Sequence, residues 1–234
     1  MGALETRYKE LTGVLRKFSE QELLDCVPEN GGCLGGYPEN GMAYVMDKGR
    51  LSPEKYYRYK EESGECKANR KGNALKGARV TKVVNLPSNL ENFYISALAA
   101  GPIWVATKAS DCLIAYTGGI MKDSTCDQNE ANHVVTAVGY APTYFLIKNS
   151  WGTDWGEQGF VRFLRGYHNC GLLLHGGYPV LEDSGRLDTS KSDPPAEYTL
   201  VEDNECADDM TGCTLSNCDT SIGGQICKKT CSTC

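Results

Sequence analysis

The stretch that decides the fold reads Ile147-Lys148-Asn149-Ser150-Trp151-Gly152-Thr153-Asp154-Trp155-Gly156-Glu157-Gln158-Gly159. The stretch begins at the last residue of an apolar, aromatic run over 144–147, and it ends at the first residue of a similar run over 159–163. Both runs have the composition of β-strands, and the residues between them are typical of a turn or loop. The stretch therefore predicts two strands joined by a loop. On composition alone, its two tryptophans would be core aromatics.

Further strand signals surround this stretch across residues 78–181. They are the β-branched or aromatic runs 79–84, 103–106 and 133–138. One helix is predicted among them, over about 90–100.

Residues 1–60 have a helical pattern instead. Apolar residues recur there every three or four positions, at Leu4, Tyr8, Leu11 and Leu15. Ser19 and Glu22 form a predicted capping box, and a second helix is predicted over 38–48, ending at Gly49. A helical half followed by a strand-rich half predicts an α+β fold with a cleft between the halves.

Composition excludes several classes of protein. The chain has 234 residues, of which 41% are hydrophobic, so it can form a core. No apolar run approaches the roughly 18 residues that a membrane span requires. The formal charge of −6 is unfavourable for nucleic-acid binding. The first residues lack the apolar run of a secretory signal.

Charge and cysteine content divide the chain into three parts. Residues 182–205 carry a net charge of −6 and include Pro194 and Pro195, which predicts a flexible acidic linker. Residues 1–181 form the main domain. Residues 206–234 hold six of the 12 cysteines, which indicates a small disulfide-rich domain and an oxidising compartment.

The main domain resembles the papain family of cysteine endopeptidases, with a cathepsin-L-like texture over 36–60. The resemblance rests on the quoted stretch 147–159 and on five further segments, 19–26, 32–38, 132–140, 169–172 and 178–179. It implies a papain-like two-lobed fold, with a helical lobe, a β-barrel-like lobe and a cleft between them.

The family's chemistry assigns roles to several of these residues. A cysteine thiolate attacks the peptide carbonyl, and a histidine passes the proton to the leaving amine. By the resemblance, His133 is the general acid/base and Asn149 orients its imidazole. Trp151 would shield their hydrogen bond from water, and Trp155 would line the leaving-group side.

Substrate contacts also follow from the resemblance. Gly35 and Gly36 match the wall on which an extended peptide pairs with the backbone. The pocket for the residue two before the scissile bond would be lined by Tyr37, Pro38, Ala106, Ala131 and Val134, with His175 near its floor.

The nucleophile itself has no counterpart in the sequence. In the family it lies in a Cys-Gly-Ser-Cys-Trp-Ala-Phe type motif, just before an Ala-Leu-Glu-Gly type sequence, and the similar Gly2-Ala3-Leu4-Glu5 opens this chain. We expect the nucleophile about half a dozen residues before Met1, roughly 140 residues ahead of His133. The oxyanion-binding glutamine is missing too. The chain as written should be inactive, and it is expected to be a truncated form of a longer enzyme.

The resemblance also implies how the cysteines pair. The disulfides Cys26–Cys66 and Cys126–Cys170 are expected in the main domain. Cys33 matches a position whose partner lies in the missing motif, and Cys112 matches no family cysteine.

The C-terminal segment resembles the sea-anemone potassium-channel-toxin (ShK-type) module. This resemblance implies three disulfides, Cys206–Cys234, Cys213–Cys227 and Cys218–Cys231. The Lys-Tyr pair of the toxins has no counterpart between Cys218 and Cys227, so an accessory or binding module is favoured over a channel blocker. A zinc site built from these cysteines is a further alternative.

Three hypotheses about function follow. The first is a secreted or lysosomal cysteine endopeptidase that binds polypeptide substrates or peptide-like inhibitors. The second is a pseudoprotease that binds peptides without cleaving them, and the third is a toxin-like effector that acts through its tail. We expect a monomer with no cofactor, no metal, no membrane span and no nucleic-acid partner; the partner of the tail is unknown.

Overall fold

Helices and strands both contribute to the described part of the chain, which confirms the predicted α+β content. The computed structural model describes residues 1–68, 72–127, 129–166 and 169–184. These residues form two units, one comprising Met1–Asn85 with residues 177–184 and the other comprising Leu86–Gly176.

The elements are as follows in chain order. The helices are α1 (Gly2–Thr12), α2 (Glu20–Cys26), α3 (Pro38–Lys48), α4 (Glu91–Ala99) and α5 (Asp111–Ile114). The strands are β1 (Ala78–Asn85), β2 (Ile103–Thr107), β3 (Ile120–Met121), β4 (His133–Tyr140), β5 (Tyr144–Lys148), β6 (Phe160–Leu164) and β7 (Gly176–Asp183). No helix among the described residues is long and apolar enough to cross a membrane.

Helix α1 anchors the core of the first unit. Leu4 and Tyr8 are buried on one face, and the Tyr8 hydroxyl donates to the Lys76 carbonyl at 2.7 Å. The helix ends at Thr12 because Gly13 takes a left-handed conformation with φ of 73°. Leu15, predicted to continue the apolar face, therefore lies beyond the helix and is 68% exposed.

Helix α2 begins at the predicted cap, but only half of the predicted capping box forms. The Ser19 hydroxyl accepts from the Glu22 backbone amide at 2.9 Å. The Glu22 carboxylate does not return to Ser19, because it accepts from the Ser52 amide at 2.7 Å and from the Tyr44 hydroxyl at 3.1 Å. Burial, reinforced by the charge of Glu22, raises the pKa of Tyr44 above its usual range. Glu22 thus joins three segments of the first unit.

Strand β7 extends the first unit beyond the predicted boundary at residue 181. It pairs antiparallel with β1, and the register places Glu182 beside Arg79 and Asp183 beside Ala78. The Arg79 guanidinium lies 3.3 Å from the Glu182 carboxylate. Residues 182 and 183, predicted to open the acidic linker, are therefore strand residues.

The second unit is built on a sheet in the order β2-β4-β5-β6-β3. Neighbouring strands are antiparallel except β3, which pairs parallel with β6. All five residues of β2 are buried, and Phe145 and Ile147 of β5 are buried on alternate positions. The predicted strands and helix α4 form within two residues of their expected ends. The short elements α5 and β3 lacked a sequence signal.

Each unit contains one disulfide. Cys26 is bonded to Cys66 in the first unit, and Cys126 is bonded to Cys170 in the second. Cys33 is an exposed thiol and Cys112 a buried one. The rest of the predicted linker, the predicted domain 206–234 and its three disulfides lie outside the described residues.

We predict that Glu22→Ala destabilises the first unit by about 2–4 kcal/mol, because it leaves the buried Ser52 amide and the Tyr44 hydroxyl without an acceptor. Urea unfolding at pH 7 measures the effect. The control is Glu20→Ala, an exposed position in the same helix, which should change stability by less than about 0.5 kcal/mol. Equal effects of the two substitutions would contradict the role of Glu22.

The Asp25 carboxylate closes the loop that follows α3. It accepts hydrogen bonds at 2.8 Å from Gln21 Nε2, the Tyr57 hydroxyl and the Gly64 amide. Burial alone would raise the pKa of Asp25, but the hydrogen bonds from Tyr57, Gly64 and Gln21 outweigh it and hold the pKa below its usual value.

This lowered pKa predicts a pH-dependent contribution to stability. The contribution is complete above the unfolded-state pKa of about 4 and is lost as the pH falls through the lower pKa of the folded state. Asp25→Asn should therefore cost about 1–2 kcal/mol at pH 7 and much less at pH 2. Urea titrations at both pH values measure the difference, with Asp47→Asn, which is 76% exposed, as the control. A cost independent of pH would refute this assignment.

Candidate active site

Strand pairing in the second unit brings His133 and Asn149 together. His133 is the first residue of β4, where it pairs with the buried Thr107 of β2, and Asn149 directly follows β5. Because β4 and β5 are antiparallel, the start of one strand lies beside the end of the other. His133 Nε2 lies 2.8 Å from Asn149 Oδ1. Residues 16 positions apart thus form one hydrogen-bonded pair.

A second donor fixes the orientation of the Asn149 amide. The Ser150 backbone amide donates to Asn149 Oδ1 at 2.8 Å, which identifies this atom as the oxygen. An amide oxygen can only accept, so His133 Nε2 carries a proton. Nδ1 of the half-buried imidazole then remains to accept or release a second proton.

Asn149 is itself held by its surroundings. The residue is 8% exposed, and its backbone amide donates to the Gly159 carbonyl at 2.9 Å. Its Nδ2 is buried and has no hydrogen-bond partner among the described residues. The burial keeps water from competing for Oδ1.

Aromatic rings cover the pair. The Trp151 ring stacks on the His133 imidazole with centroids 4.9 Å apart and planes 22° apart. The Trp155 ring meets Trp151 edge to face at 5.1 Å, and its Nε1 donates to the Ile114 carbonyl at 3.1 Å. Trp155 also packs near Tyr116 at 5.6 Å. Trp151 is therefore a partner of the imidazole, and Trp155 supports Trp151 from the other side of the cluster.

The loop between β5 and β6 depends on glycine where the chain turns. Gly156 has a φ of 58°, and a Cβ atom there would lie 2.7 Å from the Phe160 carbonyl oxygen. Gly159 has a φ of 91°, and its Cβ would lie 3.1 Å from the Gly152 carbonyl oxygen. Other residues at these positions would force the loop, and with it Trp151, to shift.

An ion pair braces the same loop. The Glu157 carboxylate accepts from Arg162 Nη2 at 2.7 Å and from the Gly119 amide at 3.0 Å. Burial alone would raise the pKa of Glu157, but the hydrogen bonds from Arg162 and Gly119 lower it below its usual value. The carboxylate therefore stays charged and ties the loop to β6.

Four predicted substrate-contact residues also lie in the second unit. Ala106 of β2 is paired with Val134 of β4, and the Ala106 amide donates to the His175 carbonyl at 2.8 Å. Val134 is 39% exposed, His175 is exposed, and Ala131 is half-buried just before β4. The structure therefore joins Ala106, Val134 and His175 through backbone pairing, with Val134 next to His133 in β4.

The remaining predicted contacts lie in the first unit, in the segment that leads into α3. Gly35 and Gly36 are exposed, and the Gly36 amide and carbonyl form no hydrogen bond within the described residues. Asn30 supports the segment, since its Oδ1 accepts from the Tyr37 amide at 3.0 Å and its Nδ2 donates to the Tyr37 carbonyl at 3.3 Å. A Cβ at Gly36 would lie 2.2 Å from the Asn30 side chain.

Sequence analysis missed three of the supporting groups. These are the Ser150 amide, the Asn30 side chain and the ion pair between Glu157 and Arg162. Asn30 stands in a turn-like segment beside Gly31, which was the only available signal. The ion pair had no signal, because its partners lie on different elements.

Comparison with known proteins identifies the class. The sequence matches the papain family cysteine protease over residues 1–180. The chain therefore belongs to the papain family of cysteine proteases.

Individual relatives point to the cathepsin-L-like members. Cathepsin L of Sarcophaga peregrina is 37% identical over 190 residues, which cover 77% of this chain and 55% of that protein. Mexicain of Jacaratia mexicana is 37% identical over 186 residues, covering 77% of this chain and 84% of that protein. The chain thus spans about half of the cathepsin L relative.

Solved structures confirm the papain-like fold. The Carica candamarcensis cysteine protease CMS1MS2, solved with E-64, matches with a TM-score of 0.69 and 35% identity, covering 76% of this chain and 84% of that one. The bromelain protease of Ananas comosus, also solved with E-64, has a TM-score of 0.70 and 32% identity, with coverage of 77% and 85%.

We predict that Trp151→Ala exposes the hydrogen bond between His133 and Asn149 to water. The exchange of the Nε2 proton of His133 should accelerate on the order of tenfold, because the covering ring is gone. Nuclear magnetic resonance of a histidine-labelled chain measures this rate. Trp155→Phe keeps a ring beside Trp151 and should leave the rate nearly unchanged. Equal rates in the wild type and Trp151→Ala would contradict a shielding role.

Proposed function

We propose that the chain belongs to a cysteine endopeptidase in which His133 is the general acid/base and Asn149 its orienting residue. The observation that carries the proposal is that Asn149 Oδ1 accepts hydrogen bonds from both the Ser150 amide and His133 Nε2, the latter at 2.8 Å. This arrangement leaves His133 Nδ1 available. Papain-type hydrolysis requires an imidazole with one nitrogen fixed and the other beside the reacting thiol.

In this mechanism the imidazole takes the thiol proton and later delivers it to the leaving amine. The hydrogen bond to Asn149 keeps the ring in one orientation through both transfers. Trp151 excludes water from that bond, so the low local dielectric strengthens it. Nothing in these steps requires a cofactor.

Substrate binding is proposed for the two groups of residues described above. The backbone of Gly36, which has no hydrogen bond within the described part of the chain, is suited to pair with an extended peptide. Tyr37, Pro38, Ala106, Ala131 and Val134 would contact the side chain two before the scissile bond, and His175 would lie near it. Trp155 would contact the leaving-group side. The proposed substrates are polypeptides, and peptide-like inhibitors should bind the same residues.

The nucleophile of the proposed reaction is neither Cys33 nor Cys112, the two described cysteines outside the disulfides. Cys112 is 2% exposed and lies against the Asp123 carboxylate, so a substrate carbonyl has no access to it. Cys33 is a thiol in this chain; in the longer enzyme that we propose it would pair with one cysteine of the Cys-Gly-Ser-Cys-Trp type motif, and the other cysteine of that motif would be the nucleophile. We accordingly propose that this chain is a truncated form and is inactive as written.

The remaining features are proposed from sequence. Residues 184–205 would form an acidic linker, and residues 206–234 an ShK-type accessory module with a partner of its own. An oxidising destination, extracellular or lysosomal, is supported by the density of cysteines in that segment.

We predict that the chain alone does not hydrolyse a fluorogenic peptide, and that a chain extended upstream by about 30 residues containing the Cys-Gly-Ser-Cys-Trp run does. In the extended chain, His133→Ala should lower kcat by about 10⁴–10⁶-fold, because triad members act as a unit. The third histidine of the sequence, His168, has no role in the proposed reaction, so His168→Ala is the matched control and should retain activity.

Two outcomes would overturn the proposal. One is an extended chain that folds but neither cleaves peptides nor reacts with E-64. The other is hydrolysis by the unextended chain with alkylation of Cys33 or Cys112, which would make one of those thiols the nucleophile.

A further inference from the structure

A basic groove lies in the first unit, among residues that the proposed peptidase chemistry does not use. Its volume is about 880 Å³. It is lined by residues that carry four cationic side chains and one carboxylate, namely Arg16, Lys17, Pro53, Glu54, Lys55, Tyr56, Arg58, Gly72 and Asn73. The lining has a net charge of +3, although the whole chain has a net charge of −6.

The cations of the groove are available to a ligand. Within the described residues, Arg16, Lys17, Lys55 and Arg58 have no carboxylate partner within 4.0 Å. Lys17, Lys55 and Arg58 are exposed and Arg16 is half-buried. The one carboxylate of the lining, Glu54, does not pair with these cations: its Oε1 accepts from the Tyr59 amide at 3.0 Å, and its Oε2 is buried without a partner among the described residues.

The walls of the groove are held in place before any ligand binds. The lining comes from three segments, 16–17, 53–58 and 72–73. The Glu54 amide donates to the Lys17 carbonyl at 3.1 Å, which joins the first two segments. Arg50 Nη2 donates to the Gly72 carbonyl at 2.9 Å, which attaches the segment 72–73 to the residues just before 53–58. A preformed site loses little conformational freedom on binding.

The chain itself contains a segment of complementary charge. Residues 185–205 include six carboxylates and two cations, a net charge of −4. They follow directly after Ser184, whose amide donates to the Gly77 carbonyl at 3.0 Å. Gly77 is four residues from Asn73, a lining residue, so at most about 14 Å of backbone separates the groove from the point where Ser184 is hydrogen-bonded. Asp188 lies a further four residues on and can reach it.

We propose that this groove binds a carboxylate-rich polypeptide, and that its occupant is the acidic segment 185–205 of the same chain. Tethering gives the segment an effective concentration on the order of millimolar, which compensates for the weakness of individual exposed ion pairs. The site is independent of the proposed peptidase reaction, because none of its lining residues takes part in it.

Zero-length crosslinking of the full chain with a carbodiimide tests the contact. Lys17 and Lys55 should form amide bonds with carboxylates of 188–205, identified by peptide mass spectrometry, and the yield should fall in high salt. Arg16→Glu combined with Arg58→Glu keeps both reporter lysines but reverses the attraction, so the yield should fall at least fivefold. Lys48→Glu, at the exposed end of α3, is the matched control and should not change it.

Circular dichroism establishes that each variant is folded. Should the double glutamate variant be unfolded, Arg16→Gln with Arg58→Gln gives the same comparison without charge reversal. A yield unchanged by both double variants, or an equal yield from Lys48, would overturn the proposal.

A second measurement identifies the occupant. In a variant with the six carboxylates of 185–205 replaced by amides, a fluorescent 15-residue polyglutamate should bind at least tenfold more tightly than to the wild type, as followed by anisotropy. Equal binding to both chains would show that the segment does not occupy the groove. Binding of dextran sulfate without binding of polyglutamate would show a polysulfate site instead, and would also refute the proposal.

Discussion

The candidate site depends on a single amide oxygen that accepts two hydrogen bonds. Asn149 Oδ1 receives one from His133 Nε2 and one from the Ser150 backbone, and the second bond sets the direction of the first. A backbone donor cannot rotate away, so the side-chain amide is oriented by the chain itself. The imidazole is then held by this oxygen at Nε2 and by the Trp151 ring against its face.

This arrangement is a product of sheet geometry and loop shape together. The antiparallel register of β4 and β5, in which Thr136 lies opposite Lys148, brings the start of β4 close to the residue that follows β5. The following loop then decides what surrounds them. Its glycine turns and the ion pair between Glu157 and Arg162 return the chain toward β6 in a path that leaves Trp151 against the imidazole and Trp155 against Trp151.

Much of this could be predicted from sequence, and the failures have physical causes. Helix α3 and the strands around Asn149 were predicted because local signals agreed with tertiary packing, as Pro38 and Gly49 illustrate. The full capping box at Ser19 did not form, because a buried amide at Ser52 competes for the same carboxylate. Leu15 fitted a helical period, but a left-handed glycine ended the helix first. In the site, the residue types and the resemblance identified His133, Asn149 and the tryptophans. The supporting contacts of Asn30 and Glu157 join residues distant in sequence or rely on backbone donors, which no local pattern records.

The position of β7 in the sequence, far after its partner strand, has a consequence for biosynthesis. The strand that completes the first unit lies about 100 residues after its partner β1, with the whole second unit encoded between them. A nascent chain can therefore assemble the second unit while the edge of β1 still lacks its neighbour. Such long-range pairing is slow and leaves a strand edge open in the meantime. Residue 183 must leave the ribosome before that edge can be closed, so β1 lacks its neighbour throughout the synthesis of the second unit.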